Sequence, residues 1–391
     1  MFAAPRFPGF LKNKKQKERA TGCRSLLPAS FLMLILAGLL SLCARKIPGF
    51  AQGYSVTVYA VLKNTLGSLC GLVPFSLSEA GLYGLILFLI WDIVRNLRQP
   101  LKILSHVFFL ASGLFLSFTL NCGINYYRTP FSYEAGFSTQ PASSKELYAL
   151  CEYLTVQVNK CIEEMENEEA VSSESGGISL YPGLGQTTKT PAPSWSYLRE
   201  AGRKGQKAMA GLGALYPQLS GHYPYPKPLV NSRLLSIQQL CGIYSPFTIE
   251  ANYNREMPYY NIPHTICHEL SHLKGYMRED EANFIGYLAC ITSDSADFRY
   301  SGYLTGWVYA GNALAKADIN GYSRLHEKLA PKAIADLTYN NSFWDQYEGK
   351  VAEASNQIND SYLKAHSQTD GVQSYGRMVD LMLAYYAKME R

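Results

Sequence analysis

No two of the nine cysteines stand in a CxxC pair and their number is odd, which argues against a disulfide framework and against a cysteine zinc knuckle. Charged residues are only 17% of the chain, and the net charge of +5 comes mostly from the first 24 residues. With no basic-aromatic platform beside it, that excess gives no support for a nucleic-acid partner. No internal repeat organises the chain, and nothing in it calls for an organic cofactor.

Apolar residues, by contrast, are 47% of the chain and unevenly placed. A mean hydropathy of -0.09 lies between a transporter and a soluble enzyme, which suggests that the apolar residues gather at one end. The uncharged run Ser25–Ala44 has 20 residues between Arg24 and Arg45, enough to cross a bilayer as a helix. Two more spans are expected over about 75–93 and 103–122. Arg6, Lys12, Lys14, Lys15, Lys17, Arg19 and Arg24 precede the first span, and Arg95, Arg98 and Lys102 fill the loop between the other two. Cations of this kind stay in the cytoplasm. The expected organisation is therefore a basic cytoplasmic tail (1–24), a membrane region (25–122) and an extracytoplasmic domain (123–391). Leu42-Cys43-Ala44 suits neither a small-residue cleavage site nor a lipoprotein cysteine, so the first span reads as an uncleaved anchor. His106 alone falls within an uncharged span, with no relay of acidic or basic partners, which argues against a transporter.

Tyr54, Val58, Leu62, Leu66 and Leu69 recur at helical spacing between the first two spans, as an interfacial helix or a plain connector would have them. Leu147, Leu150, Leu154, Val158 and Ile162 mark the core side of a helix over Ser143–Ala170. Residues 171–194 lack periodicity and read as a flexible surface insert. A helix is expected from Ser194 to Tyr216, then an extended or turned Tyr223-Pro224-Tyr225-Pro226-Lys227-Pro228, then a strand over about 247–254. If Phe247–Asn254 is the edge above the site, a peptide could add to it as a further strand. Helical patterns follow at about 299–317, 319–328, 330–338, 341–365 and 373–389, with Trp307 and Tyr309 read as core or membrane-facing aromatics. The fold class is mainly α: N-terminal transmembrane helices, then a predominantly helical α+β domain.

The chemistry concentrates in His268-Glu269-Leu270-Ser271-His272. On a helix, imidazoles at i and i+4 lie nearly above one another and can present nitrogens to one zinc ion about 2.0–2.1 Å away. Glu269, one position on, can take a proton from a water that the metal activates. Lys274-Gly275 supplies a helix stop, and Glu279-Asp280-Glu281 opens a second helix where its dipole favours acids. Glu279 is the third ligand expected and Glu281 the alternative, since the two project from different sides of a first turn. Cys267 points about 100° from the histidine face and reads as a small buried residue. His264, close after Pro263, is left out because a fourth ligand would close the open position that catalysis needs. Asn283, at i+4 from Glu279, suits a hydrogen bond to a ligand. Tyr375 and Arg377 are candidate oxyanion donors, with capping and packing as their alternative roles.

Glu279-x-x-Ala282-Asn283 is similar to the Glu-x-x-Ala-Asp element with which membrane-bound peptidases of the CAAX-prenyl-protease and HtpX type supply their third zinc ligand, Asn283 replacing the aspartate. Gly275 also resembles the turn by which metzincins return a ligand to the metal, but Arg278 stands at the ligand position. The whole chain resembles a family of uncharacterised bacterial multi-pass membrane proteins. Its hallmarks are Tyr126-Tyr127-Arg128-Thr129-Pro130-Phe131, His268 to Asn283, Tyr300-Ser301-Gly302-Tyr303 and Ser374-Tyr375-Gly376-Arg377-Met378-Val379-Asp380. The resemblance implies that the predominantly helical α+β domain is zincin-like, a metallopeptidase with no known substrate. With Zn2+ as cofactor, the reading is hydrolysis of a peptide or protein substrate at the outer face of the cytoplasmic membrane. The alternative is a zinc-stabilised sensor or binding module. An intramembrane protease fits less well, because Lys274, Arg278, Glu279 and Asp280 follow the motif closely.

Overall fold

The computed structural model describes residues 9–140, 142–174, 179–185, 193–365 and 377–389. Three of its helices are long and apolar enough to cross a membrane: Leu26–Lys46, Leu77–Asn96 and Pro100–Tyr127. Ser76 caps the second, its Oγ accepting from Glu79 N–H, and Pro100 opens the third, where a missing N–H costs nothing. Side chains such as Leu32, Leu87 and Leu104 stand exposed along these helices, as they do where lipid is the solvent. His106 is not alone there. Its Nδ1 lies 2.8 Å from Asp92 Oδ1, which also accepts from Asn96 Nδ2, so an acidic partner near the end of the second span corrects the expectation of an isolated histidine.

Residues Phe50–Gly71 form one helical stretch in which Ser55–Tyr59 and Lys63–Gly67 adopt the wider π geometry. That geometry explains a correction to the expected stripe. Tyr54 of that stripe is buried, but the row continues through Ala51, Ser55, Tyr59, Lys63 and Gly67, spaced by four, whereas Val58, Leu66 and Leu69 face outward. A plain α-helix with 3.6 residues per turn would rotate such a row off its partner, and the i→i+5 turns hold it straight. Tyr59 donates to Leu273 O at 2.9 Å and Lys63 to His222 O at 2.6 Å, so this segment is docked onto the following domain rather than being a loose connector.

In that domain, helix Ser144–Glu174 buries Leu147, Leu150, Leu154, Val158 and Ile162 and packs along Ala296–Ala317. Helix Trp195–Leu215 begins where Ser194 Oγ accepts from Tyr197 N–H. The expected insert is only partly outside the core: 175–178 and 186–192 lie beyond the described residues, but Tyr181 and Leu184 pack against it. The helix expected over 341–365 is two, Pro331–Asp345 and Lys350–Ala365, parted at Gly349, whose φ of 148° no helix allows. The last helix is Arg377–Met389; the expected start at 373 lies outside the described residues.

One small sheet runs β1 (Lys227–Pro228), β3 (Glu250–Tyr253), β2 (Gly242–Ser245), with β1 parallel and β2 antiparallel to the central β3. The strand expected over 247–254 is therefore shorter and interior, and the edge lies at β2. Fully buried Lys227 and Glu250 pair across β1 and β3. Lys227 Nζ also donates to Cys70 O at 2.6 Å, while Glu250 accepts from the N–H groups of Leu77 and Ser78 at 3.2 and 2.8 Å. This ion pair thus ties the end of the Phe50–Gly71 stretch and the start of the second span to the sheet.

Candidate metal and catalytic site

Helix Asn261–Leu273 carries the motif and packs against β2, β3 and the following helix, Glu279–Ile291. Pro263 sits in its first turn, where a missing donor is harmless. Its other end is a Schellman turn: Tyr276 N–H donates to Ser271 O and Gly275 N–H to His272 O, with Gly275 at φ 98°. The turn carries Tyr276 O back to His272 Nδ1 at 2.8 Å. A donated Nδ1–H there leaves His272 Nε2 as the free lone pair.

His268, His272 and Glu279 are brought together, with ligand atoms within 4.8 Å of one another. The two Nε2 atoms are 3.0 Å apart, and the Glu279 oxygens lie 3.4 Å from His268 Nε2 and 3.6 Å from His272 Nε2. Ligands of a tetrahedral zinc with bonds of 2.0–2.1 Å are about 3.3–3.4 Å apart, so the triangle has the right size, and nitrogen with carboxylate is a suitable donor set. Burial lowers the His272 pKa to about 4, keeping it neutral as a metal ligand must be. For His268, burial is outweighed by the Glu279 hydrogen bond and charge, and its pKa rises; Glu279, held by both histidines against its own burial, is lowered. The neighbouring Asn283 side chain adds to the rise at His268, but Asn283 Nδ2 and His268 Nδ1 are each buried without a hydrogen-bond partner.

Glu281 does not join the cluster. Its carboxylate accepts from Ser132 N–H and Oγ at 2.9 and 2.6 Å, capping the short helix Phe131–Glu134. His264 stays apart too, its Nε2 3.1 Å from Asn283 O. Cys267 is fully buried, and the eight cysteines whose side chains are described form no disulfide. Arg377 is corrected as an oxyanion donor: its Nε bonds Asp280 Oδ2 at 2.7 Å. Tyr375 lies outside the described residues.

Glu269 projects into a cavity of about 710 Å³ that it shares with His268, His272 and Glu279. It is buried, its Oε2 has no hydrogen-bond partner, and burial, with Glu279 adding and His268 opposing, raises its pKa to about 8. Gly242 on β2 makes this placement possible, since a Cβ there would overlap Glu269 Oε1. Gly242→Ala is expected to leave the fold and the three-donor cluster intact while displacing Glu269. Zinc content should stay constant while any hydrolytic rate falls; an unchanged rate would show that the Glu269 position is not needed.

Tyr309 also lines the cavity, which periodicity does not reveal. Its neighbour in the aromatic pattern, Trp307, donates from Nε1 to Thr155 Oγ1 at 3.0 Å inside the core. Two residues on a helix are about 200° apart, and a helix apolar on most sides gives no sign of which side meets a cavity. Burial, together with the charges of Cys241 and Glu279, raises the Tyr309 pKa, so its hydroxyl keeps its proton.

A family model described as "Protein of unknown function (DUF3810)" matches residues 54–383, which takes in most of the docked helical stretch, two of the spans and the whole site. No curated protein and no solved structure matches the chain.

Proposed function

The chain belongs to the DUF3810 family, and from that premise we propose that it is a membrane-anchored zinc metallopeptidase. The observation that carries the reading is Glu269: a buried carboxylate with an unpartnered oxygen, in one cavity with three donors spaced for a tetrahedral metal. A carboxylate kept without a partner suits proton transfer better than scaffolding. Residues His268, His272 and Glu279 would hold the ion, with Tyr276 O fixing the tautomer of His272. Zinc bound there would supply a Lewis acid that polarises the scissile carbonyl and makes water more acidic. Glu269 accepts the water's proton and delivers it to the departing amine. Tyr309 is a protonated hydroxyl lining the cavity and would donate toward the oxyanion.

Support for Glu279 over Glu281 comes from the contacts of each. Glu279→Ala is expected to remove most bound zinc from the purified protein, whereas Glu281→Ala should keep zinc and lose only the Ser132 cap. Equal loss of zinc in the two variants, measured by elemental analysis, would contradict this assignment.

The domain is proposed to lie outside the cytoplasm, from the cations before the first span and at Arg95, Arg98 and Lys102. A reporter active only outside the cytoplasm should give signal when fused after Arg128 and none at Arg98. The reverse pattern would place the site inside.

A further inference from the structure

The cavity that holds Glu269 is not walled by the domain alone. Phe118 and Cys122, from the end of the third span, line one side, and Pro246 and Phe247, from the turn joining β2 to β3, line another. The span itself sets the depth of that wall. Counted from Lys102, the last cation before the span, a hydrocarbon core of roughly 30 Å takes about 20 residues at 1.5 Å each and ends near Cys122, one turn beyond Phe118. Phe118 therefore stands close to where hydrocarbon gives way to headgroups.

The β2–β3 turn is held at the same level. Asn121 Nδ2, one turn beyond Phe118, donates to Pro246 O at 2.7 Å. On the other side, Glu250 accepts from Leu77 and Ser78 at the start of the second span. The turn is thus pinned to the near ends of two spans. Its backbone is fixed there: Ile249 sits at φ 51°, unusual for a β-branched residue, and is fully buried against Gly67. Phe247 nevertheless stands 47% exposed, and Ile243 on the edge strand 45%. Beside two membrane-crossing helices, the neighbour that suits an exposed aromatic on a rigid turn is lipid. Val61 and Leu69 of the docked stretch are likewise exposed apolar side chains.

We infer that the cavity opens sideways to the bilayer, and that its substrate is a polypeptide held in the membrane close to the bond to be cut. The polypeptide enters between Phe118 and Phe247, so that its anchored part stays among acyl chains while the chain beside it reaches Glu269. The identity of the substrate rests on the hydrolase reading; the opening does not.

The full chain is reconstituted in phosphatidylcholine vesicles in which some lipid carries a photoactivatable diazirine on its acyl chain, and labelled peptides are mapped. Labelling is expected on the β2–β3 turn at Phe247 as well as along the spans. A turn that escapes the lipid label and reacts with a water-soluble carbene reagent overturns the inference. In the same vesicles, zinc-loaded protein is given two pools of degenerate quenched peptides on an acyl anchor. One pool carries its variable segment next to the anchor, the other behind a spacer of about 20 Gly and Ser residues, long and flexible enough to dilute the local concentration. Cleavage of the close pool is expected to be faster by about ten-fold, because the bond is delivered at high local concentration to a site at that depth. Equal rates, or faster cleavage of the spaced pool, overturn the substrate class. If lipid labels the turn and neither pool is cut by the zinc-loaded protein, the hydrolase reading fails while the lateral opening stands.

Discussion

In membranes carrying Glu269→Gln, bound zinc is expected to match that of the unaltered protein while peptide release falls by about 10²–10⁴-fold, the range that a positioned general base contributes. The expectation follows from where Glu269 stands. It shares a cavity with His268, His272 and Glu279 but is not one of the three clustered donors, so the glutamine removes a proton-accepting oxygen and leaves the metal's ligands in place. Glutamine has the same shape and still fits against Gly242. Comparing the peptides released by the two kinds of membrane works even with the substrate unidentified. Cleavage retained in the glutamine form would reject the proposed role of Glu269. A zinc-stabilised sensor predicts something different again: equal zinc in the two forms and no release from either.

Lys227→Met is expected to destabilise the protein by about 3–5 kcal/mol, the usual cost of leaving one member of a buried pair without its partner. Lys227 and Glu250 are fully buried, and no water can replace the lost charge. Glu250 would keep its bonds to Leu77, Ser78 and Thr248, but those are dipoles facing a full negative charge. The double variant Lys227→Met, Glu250→Gln should therefore be less destabilised than Lys227→Met alone. Thermal unfolding in detergent, followed by circular dichroism, distinguishes the cases. A Lys227→Met protein that melts with the unaltered one would show that the pair does not hold the sheet to the second span.

Long, one-sided elements were legible in the sequence. The Leu147 to Ile162 stripe and the Ser194 cap need only local rules, and both helices form where those rules put them. The placement of His268, His272 and Glu279 was also readable, because a five-residue spacing and a helix start carry it. What escaped depends on partners distant in sequence. Ser132, 149 residues away, decides what Glu281 does. Asp92 and His106 meet only because their two helices pack. In the Phe50–Gly71 stretch, Tyr54 is buried as expected, but the π turns carry the buried row through Ala51, Ser55, Tyr59, Lys63 and Gly67, which an α-helical template cannot foresee. The strand boundaries slipped because Ile249, a strong strand former, sits at positive φ in the turn instead. Tyr309 was hidden for a related reason: its side of the helix faces a cavity that exists only once β2 lies across the site.

Every catalytic step proposed for this chain depends on His268, His272 and Glu279 holding one zinc ion. Elemental analysis of the full-length protein, purified in detergent after mild zinc loading and desalting, tests this beside the His268→Ala and His272→Ala forms. One zinc per chain is expected in the unaltered protein and none retained in either variant, with all three helical by circular dichroism. An unaltered protein that retains no zinc, or a His268→Ala form that keeps a full equivalent, would contradict it.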